Sequence, residues 1–231
     1  FVRPLRRLAM QPKATPLYKY MRREHAAMLL KSGSLRIGTL AEFRDTEGHG
    51  DQIGDADEGR DLPIEHVENA SNDDPDSISS FVRDVISVPQ GPGRLTIRGA
   101  TFGKVVDGPP AYVFCLSECV DAAQMELMGY DTCVRIAEPE RFIASLTSKL
   151  NQLGHIKGAA EFGPCEYRER ERDWRGPPPL SLGFIKPPKY SSQREVRALW
   201  PAARAEAEPV VVRVLSAARF CSLVDPRESA V

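Results

Sequence analysis

The densest polar pattern in the chain runs from Lys189 to Trp200, KYSSQREVRALW. In a strand, successive side chains point to opposite faces. Gln193, Glu195, Arg197 and Leu199 then share one side, and Arg194, Val196, Ala198 and Trp200 the other. An amide and a carboxylate stand side by side on one face. A carboxylate so placed can orient a hydroxyl, steady positive charge forming in a transition state, or act as a general base. The competing expectation is an edge strand that shows Gln, Glu and Arg to solvent, and composition alone favours it.

A second cluster lies between Ala41 and Arg60, where Asp45, Glu47, Asp51, Asp55, Asp57 and Glu58 accompany His49 and four glycines. Carboxylates are the hard oxygen ligands that Ca²⁺ and Mg²⁺ prefer, but the spacing departs from the EF-hand loop. A solvated polar loop is the favoured expectation. If the loop acts, Arg44-Asp45 and Asp57-Glu58 are the positions to test, as a divalent-metal site or as a loop that recognises an acceptor.

Other chemistries find no footing. The four histidines form neither H-x-x-x-H nor HExxH, no serine or cysteine stands in a G-x-S-x-G elbow, and the glycines make no phosphate-binding fingerprint. The five cysteines contain no CxxC and sit mostly beside apolar residues, which predicts reduced, structural thiols and a cytoplasmic setting. Arg168, Arg170, Arg172 and Arg175 interleave with Glu166, Glu169, Glu171 and Asp173, a pattern expected of a solvated, self-paired surface. Trp174 and Trp200 are expected in the core.

Many short elements must position these residues. Leu17–Met21 reads as a strand, Arg22–Lys31 as a helix stopped at Gly33, and Leu35–Gly38 as a second strand. Asn69 to Asp76 reads as turn. Alternating apolar residues from Phe81 to Val106 predict strands joined by a hairpin loop at Gln90–Gly93. Ala111–Ser117 is apolar almost throughout, as a central buried strand is. A helix follows at Asp121–Met128, then a strand at Thr132–Ile136 and an amphipathic helix from Pro139 to Leu153. Further strands are expected from Cys165, at Leu182–Lys186, at Glu195–Trp200 and at Val210–Val214, before a tail.

These elements predict an α+β fold: a single domain over residues 17–231, with two packed, mainly antiparallel sheets, flanking helices and a basic arm at 1–16. With 31 basic and 32 acidic residues the net charge is −1, so no uniform basic field is available to grip nucleic acid. No apolar run is long enough to span a membrane. The sequence opens on Phe1 and its first ten residues have no apolar core.

Three separated blocks, in order, resemble the ADP-ribosyltransferase superfamily. They are Leu17-Tyr18-Lys19-Tyr20 with the helix, Gly33 and Leu35-Arg36; Val113-Phe114-Cys115-Leu116-Ser117 with the following helix and strand; and Tyr190-Ser191-Ser192-Gln193-Arg194-Glu195-Val196, which looks like the closing catalytic strand. With Phe43-Arg44-Asp45 and Phe184-Ile185-Lys186, the same blocks also resemble a group of uncharacterised bacterial proteins with an opening LYKY strand and a closing E-x-E-Y-R strand. The resemblance implies a split sheet that binds NAD as substrate and transfers ADP-ribose to a macromolecular acceptor, in a bacterial toxin, defence or phage-conflict setting. Glu195 would be the catalytic glutamate and Gln193 would position the acceptor. Lys19, Tyr18, Tyr20 and Ser117 would hold the dinucleotide. The chain differs from the family in having neither Arg nor His within 17–21 and a single serine, Ser117, on the middle strand. Those differences suit the alternative, a non-catalytic module that senses a nucleotide or binds a protein through the same cleft.

Overall fold

The computed structural model describes residues 15–50, 52–87, 93–179 and 181–224. The strands are β1 Leu17–Met21, β2 Ser34–Thr39, β3 Arg60–Ser71, β4 Thr96–Gly103, β5 Val106–Asp107, β6 Ala111–Ser117, β7 Thr132–Ile136, β8 Glu161–Pro164, β9 Glu166–Tyr167, β10 Glu171–Asp173, β11 Ile185–Lys186, β12 Glu195–Pro201, β13 Val210–Arg213 and β14 Cys221–Val224. The α-helices are α1 Arg23–Ser32, α2 Thr46–His49, α3 Ser80–Val85, α4 Ala122–Leu127, α5 Pro139–Gln152 and α6 Leu215–Ala218. The fold is α+β as expected, and its pairings are mainly antiparallel, with two parallel pairs, β3–β10 and β9–β11. Most of the expected basic arm, residues 1–14, lies outside the described residues.

The main sheet is organised around β6. Strand β12 runs along one edge of β6 from Ser117↔Glu195 to Ala111↔Pro201. The opposite edge is shared: β2 holds Tyr112 and Val113, while β1 touches β6 at Ser117 alone and then swings away to pair with β7 along its whole length. The sheet is therefore split between β1 and β2.

One face of β6 and β12 carries Tyr112, Phe114, Leu116, Val196, Ala198 and Trp200 into the main core. Helix α5 covers that core with Phe142, Ile143, Leu146 and Leu150, and the Trp200 indole donates to Thr147 Oγ1 at 2.8 Å. The amphipathic spacing of α5 places these four side chains on one stripe. The other face carries Val113, Cys115, Ser117, Glu195, Arg197 and Leu199, the alternation that the sequence implies for 195–200. The edge-strand expectation fails, because β12 lies between β6 and β8.

A smaller sheet, β10-β3-β4, packs on α3 through Ala70, Ile78, Val82 and Ile97. Two expectations are corrected here. Ser80–Val85 is helical, because Ser79 caps it by accepting from the Val82 amide at 3.1 Å and Phe81 and Val82 share its buried side. Asn69–Ser71 ends a twelve-residue strand and does not begin a turn. The hairpin loop expected at Gln90–Gly93 lies almost wholly outside the described residues. Leu182–Phe184 is a 3-10 turn before the two-residue β11. The expected tail forms α6 and β14, the latter paired with β7.

Gly33 ends α1 in the left-handed region at φ 65°, and a Cβ there would lie 2.4 Å from the Val214 backbone carbon. Gly33→Ala should therefore destabilise by at least about 1 kcal/mol, read as a lower urea midpoint with an unchanged slope.

Candidate functional site

Strand β1 leaves β6 at Tyr18, and β2 joins it only at Val113, so Phe114–Leu116 has no strand on that edge among the described residues. Ser117 and Val113 both turn their backbone groups to this edge, and Cys115, midway between them, does the same. Lys19 fills the place of the missing partner, donating from Nζ to the Cys115 carbonyl at 2.8 Å. Beside it opens a hollow of about 70 Å³, whose wall includes Tyr18, Lys19, Tyr20, Ser117, Gln193 and Glu195. Three stretches remote in sequence thus meet where the sequence expectation required them to meet.

Residues 188–193 form a 3-10 turn, and Arg194 then takes the left-handed conformation at φ 43° before β12 begins at Glu195. A non-glycine residue in that region is uncommon, and the geometry it creates is specific. The kink removes Gln193 from the strand yet lets Gln193 and Glu195 converge on one ammonium. Lys186 Nζ, on β11, lies 2.6 Å from Gln193 Oε1 and 2.5 Å from Glu195 Oε2. The Gln193 amide nitrogen donates to the Gln52 carbonyl at 2.7 Å, so both ends of this amide are held. Ser117 Oγ donates to the Gln193 carbonyl at 3.0 Å, and the Glu195 amide donates to Tyr167 Oη at 2.7 Å. Tyr20 Oη donates to the Cys119 carbonyl and accepts from the Asp121 amide, fixing the turn after β6.

Behind the hollow lies a buried chain of charges. Arg197 Nε reaches Glu195 Oε1 at 2.7 Å, and its two terminal nitrogens fork onto Glu58 at 2.7 and 2.9 Å. Arg170 joins Asp55 at 2.6 Å. Glu195 is 5%, Lys186 3%, Arg197 2% and Glu58 1% exposed, so solvent screens these pairs little. Burial alone would push the Glu195 carboxyl up, but Arg197 and Lys186 together hold it well below the usual carboxylate range. Glu195 is an anion at any working pH.

The acidic loop is not the solvated stretch its composition suggests, since Asp55 and Glu58 are buried and ion-paired. The arginine-rich segment is corrected with it. Arg170, Arg172 and Arg175 do not pair only with their own neighbours; they reach back to Asp55, Asp61 and Glu65. Arg44 braces the loop from outside the hollow, donating to the Glu58 carbonyl at 2.8 Å and meeting Asp107 at 3.0 Å. Asp45 caps α2 by accepting from the Gly48 amide, and Asp57 faces Arg60 at 3.6 Å, so neither reaches the hollow. Among the described residues no group of three or more His, Cys, Asp or Glu could hold a metal ion.

Lys186, Arg170 and Tyr167 were not singled out as site residues from the sequence. Lys186 stands in the sequence reading only within the Phe184-Ile185-Lys186 block and Arg170 only within the arginine-rich segment; the E-x-R spacing of Glu195 and Arg197 signals a carboxylate and a guanidinium on one strand face and none of these three. All five cysteines are free thiols, and burial pushes those of Cys133, Cys165 and Cys221 up to about 12. No helix among the described residues is long and apolar enough to cross a membrane. No protein-family model, curated protein or solved structure matches the chain.

Proposed function

We propose that the chain binds NAD in the split of its main sheet and transfers ADP-ribose to a macromolecular acceptor, in a bacterial toxin, defence or phage-conflict setting. The observation that carries this reading is the meeting of Lys19, Ser117 and Glu195 around one hollow. A carboxylate accepts about four hydrogen bonds, and Lys186 and Arg197 occupy one position on each Glu195 oxygen. The Cys115 thiol bonds this carboxylate too, and a remaining lone pair is what a ribose hydroxyl would use. Nicotinamide would leave first, and Glu195 would steady the positive charge on the sugar before the acceptor attacks the anomeric carbon. With Oε1 and one amide hydrogen of Gln193 engaged, its second N–H is the group left to orient that acceptor.

A second reading, nucleotide binding without turnover, is favoured by one specific feature. The two cations on Glu195 offset the negative potential that a forming oxocarbenium ion would feel.

Incubation with NAD labelled in its adenylate half, in bacterial lysate, separates the two. Transfer is expected with the wild type and should fall at least tenfold in Glu195→Gln, a loss of about 1.4 kcal/mol in transition-state stabilisation. Thermal stabilisation by NAD with no label transferred by the wild type would establish the sensor instead.

A further inference from the structure

A groove of about 550 Å³ runs along the outside of the molecule between α5, the end of β13 and α6. Four cations line it: Arg141 and Lys149 from α5, Arg213 from β13, and Arg219 just after α6. Among the described residues no Asp or Glu lines it. The chain carries 31 basic and 32 acidic residues, so a groove of one sign is a local segregation of charge. It is separate from the hollow at Glu195. Helix α5 packs on the face of β12 that carries Trp200, and Glu195 points from the other face.

The cations are held in place. The Phe220 ring, in the floor, carries the Arg219 guanidinium 4.7 Å from its centroid and that of Arg141 at 5.1 Å. Contact with a ring face favours each cation, but two cations on one ring repel each other, and a bound anion relieves that repulsion. Glu138 meets Arg141 at 2.7 Å. Arg213 and Arg219 have no carboxylate partner among the described residues. Ser148 and Ser216 place two further hydroxyls along the groove. From Arg141 to Lys149 the helix rises about 12 Å, more than one phosphate spans.

We propose that this groove binds the phosphodiester backbone of a single-stranded nucleic acid. Guanidiniums and hydroxyls are the usual donors to phosphate oxygens, and a basic groove that tracks a backbone is how single strands are held. An extended acidic peptide turns successive side chains to opposite faces, so only every second carboxylate would meet the cations, whereas a phosphodiester carries charge at every unit. A bilayer surface would rest on the rims and leave the floor unfilled. The one aromatic ring in the groove, Phe220, is buried beneath its guanidiniums, so bases find no stacking platform. Recognition is then of the backbone, and DNA and RNA strands should bind alike. The assignment is independent of the transfer reaction proposed above.

The test is fluorescence anisotropy of the full chain with labelled oligo(dT) and oligo(U) of about sixteen nucleotides, across a salt series. Both should bind, with log affinity falling against log salt at a slope of about −3, or about 0.7 for each of the four cations. Arg213→Gln with Arg219→Gln should weaken binding at least tenfold and flatten the slope by about 1.4. Arg98→Gln, exposed on β4, should change neither. The melting temperature of the double variant checks its fold. Arg213→Gln alone, at an exposed position on an edge strand, should already weaken binding about threefold. No binding by the wild type at low salt, or wild-type affinity and slope in these variants, overturns the groove. Poly-glutamate or phosphatidylserine vesicles binding as tightly as the oligonucleotides overturns the nucleic-acid assignment.

Discussion

Arg197→Ala should lose about 3–5 kcal/mol of stability, the usual cost of removing one partner from a buried ion pair. The guanidinium holds two carboxylates together, Glu195 on β12 and Glu58 on the loop, and donates to the Gly183 carbonyl as well. Its loss leaves the Glu58 carboxylate, among the described residues, with only the more distant Arg170, at 3.8 Å. For a chain of this size that corresponds to a melting temperature lower by about 10 °C. The size of the loss comes from the stranded anion, so removing the anion should restore much of it. In a double-mutant cycle of Arg197→Met with Glu58→Gln, the pair is expected to be less destabilised than the two singles summed, by more than about 1 kcal/mol. Additive losses, or a melting temperature unmoved in Arg197→Ala, would mean that the network does not hold the loop to the sheet.

Elements whose burial is apolar were legible in the sequence. β1, β6, β12, α1 and α5 stand where periodicity placed them, because each exposes its core face as a run or stripe of hydrophobic side chains. β3 was invisible for the opposite reason. Its buried positions include Asp61, Pro63 and Glu65, so the apolar alternation that announces a strand is replaced by charge. Those carboxylates are tolerable inside because Arg172 and Arg175 meet them from a segment about a hundred residues later. Pairing across such a distance leaves no local trace, and the interleaved signs of 166–175 imitate a surface.

The candidate site divides along the same line. Glu195, Gln193, Ser117 and Lys19 were accessible from the order of short blocks. What turns them into a site was not: the left-handed turn at Arg194, and Lys186, which tethers two of them at once. The acidic loop shows how composition misleads in the other direction. Six carboxylates suggest either solvent or a metal, yet two of them, Asp55 and Glu58, are consumed in anchoring the loop to arginines of other segments.

Lys186 offers the sharpest pH experiment, because it touches a buried carboxylate, Glu195, whose titration the fold displaces downward. In the unfolded chain Glu195 should titrate near the ordinary glutamate value of about 4.3. In the folded chain burial works against ionisation, but Arg197 first and Lys186 second overcome it. A depressed folded pKa contributes stability that is fully present above the unfolded value and is lost as pH falls toward the folded one. Lys186→Met removes the second of the two cations and moves the folded carboxyl back toward its ordinary range, so part of that contribution disappears at neutral pH. The substitution should cost about 3 kcal/mol at pH 7, the low end for breaking a buried pair. Below about pH 4.3 the wild type begins to lose what the mutant already lacks, and the gap between them should shrink. Urea midpoints at pH 7 and at about pH 3 measure both differences, with the buried Trp200 indole as a fluorescence reporter. A gap of the same size at both pH values would show that Lys186 acts through packing on Tyr190, 4.8 Å from its ring centroid, and not through the charge of Glu195.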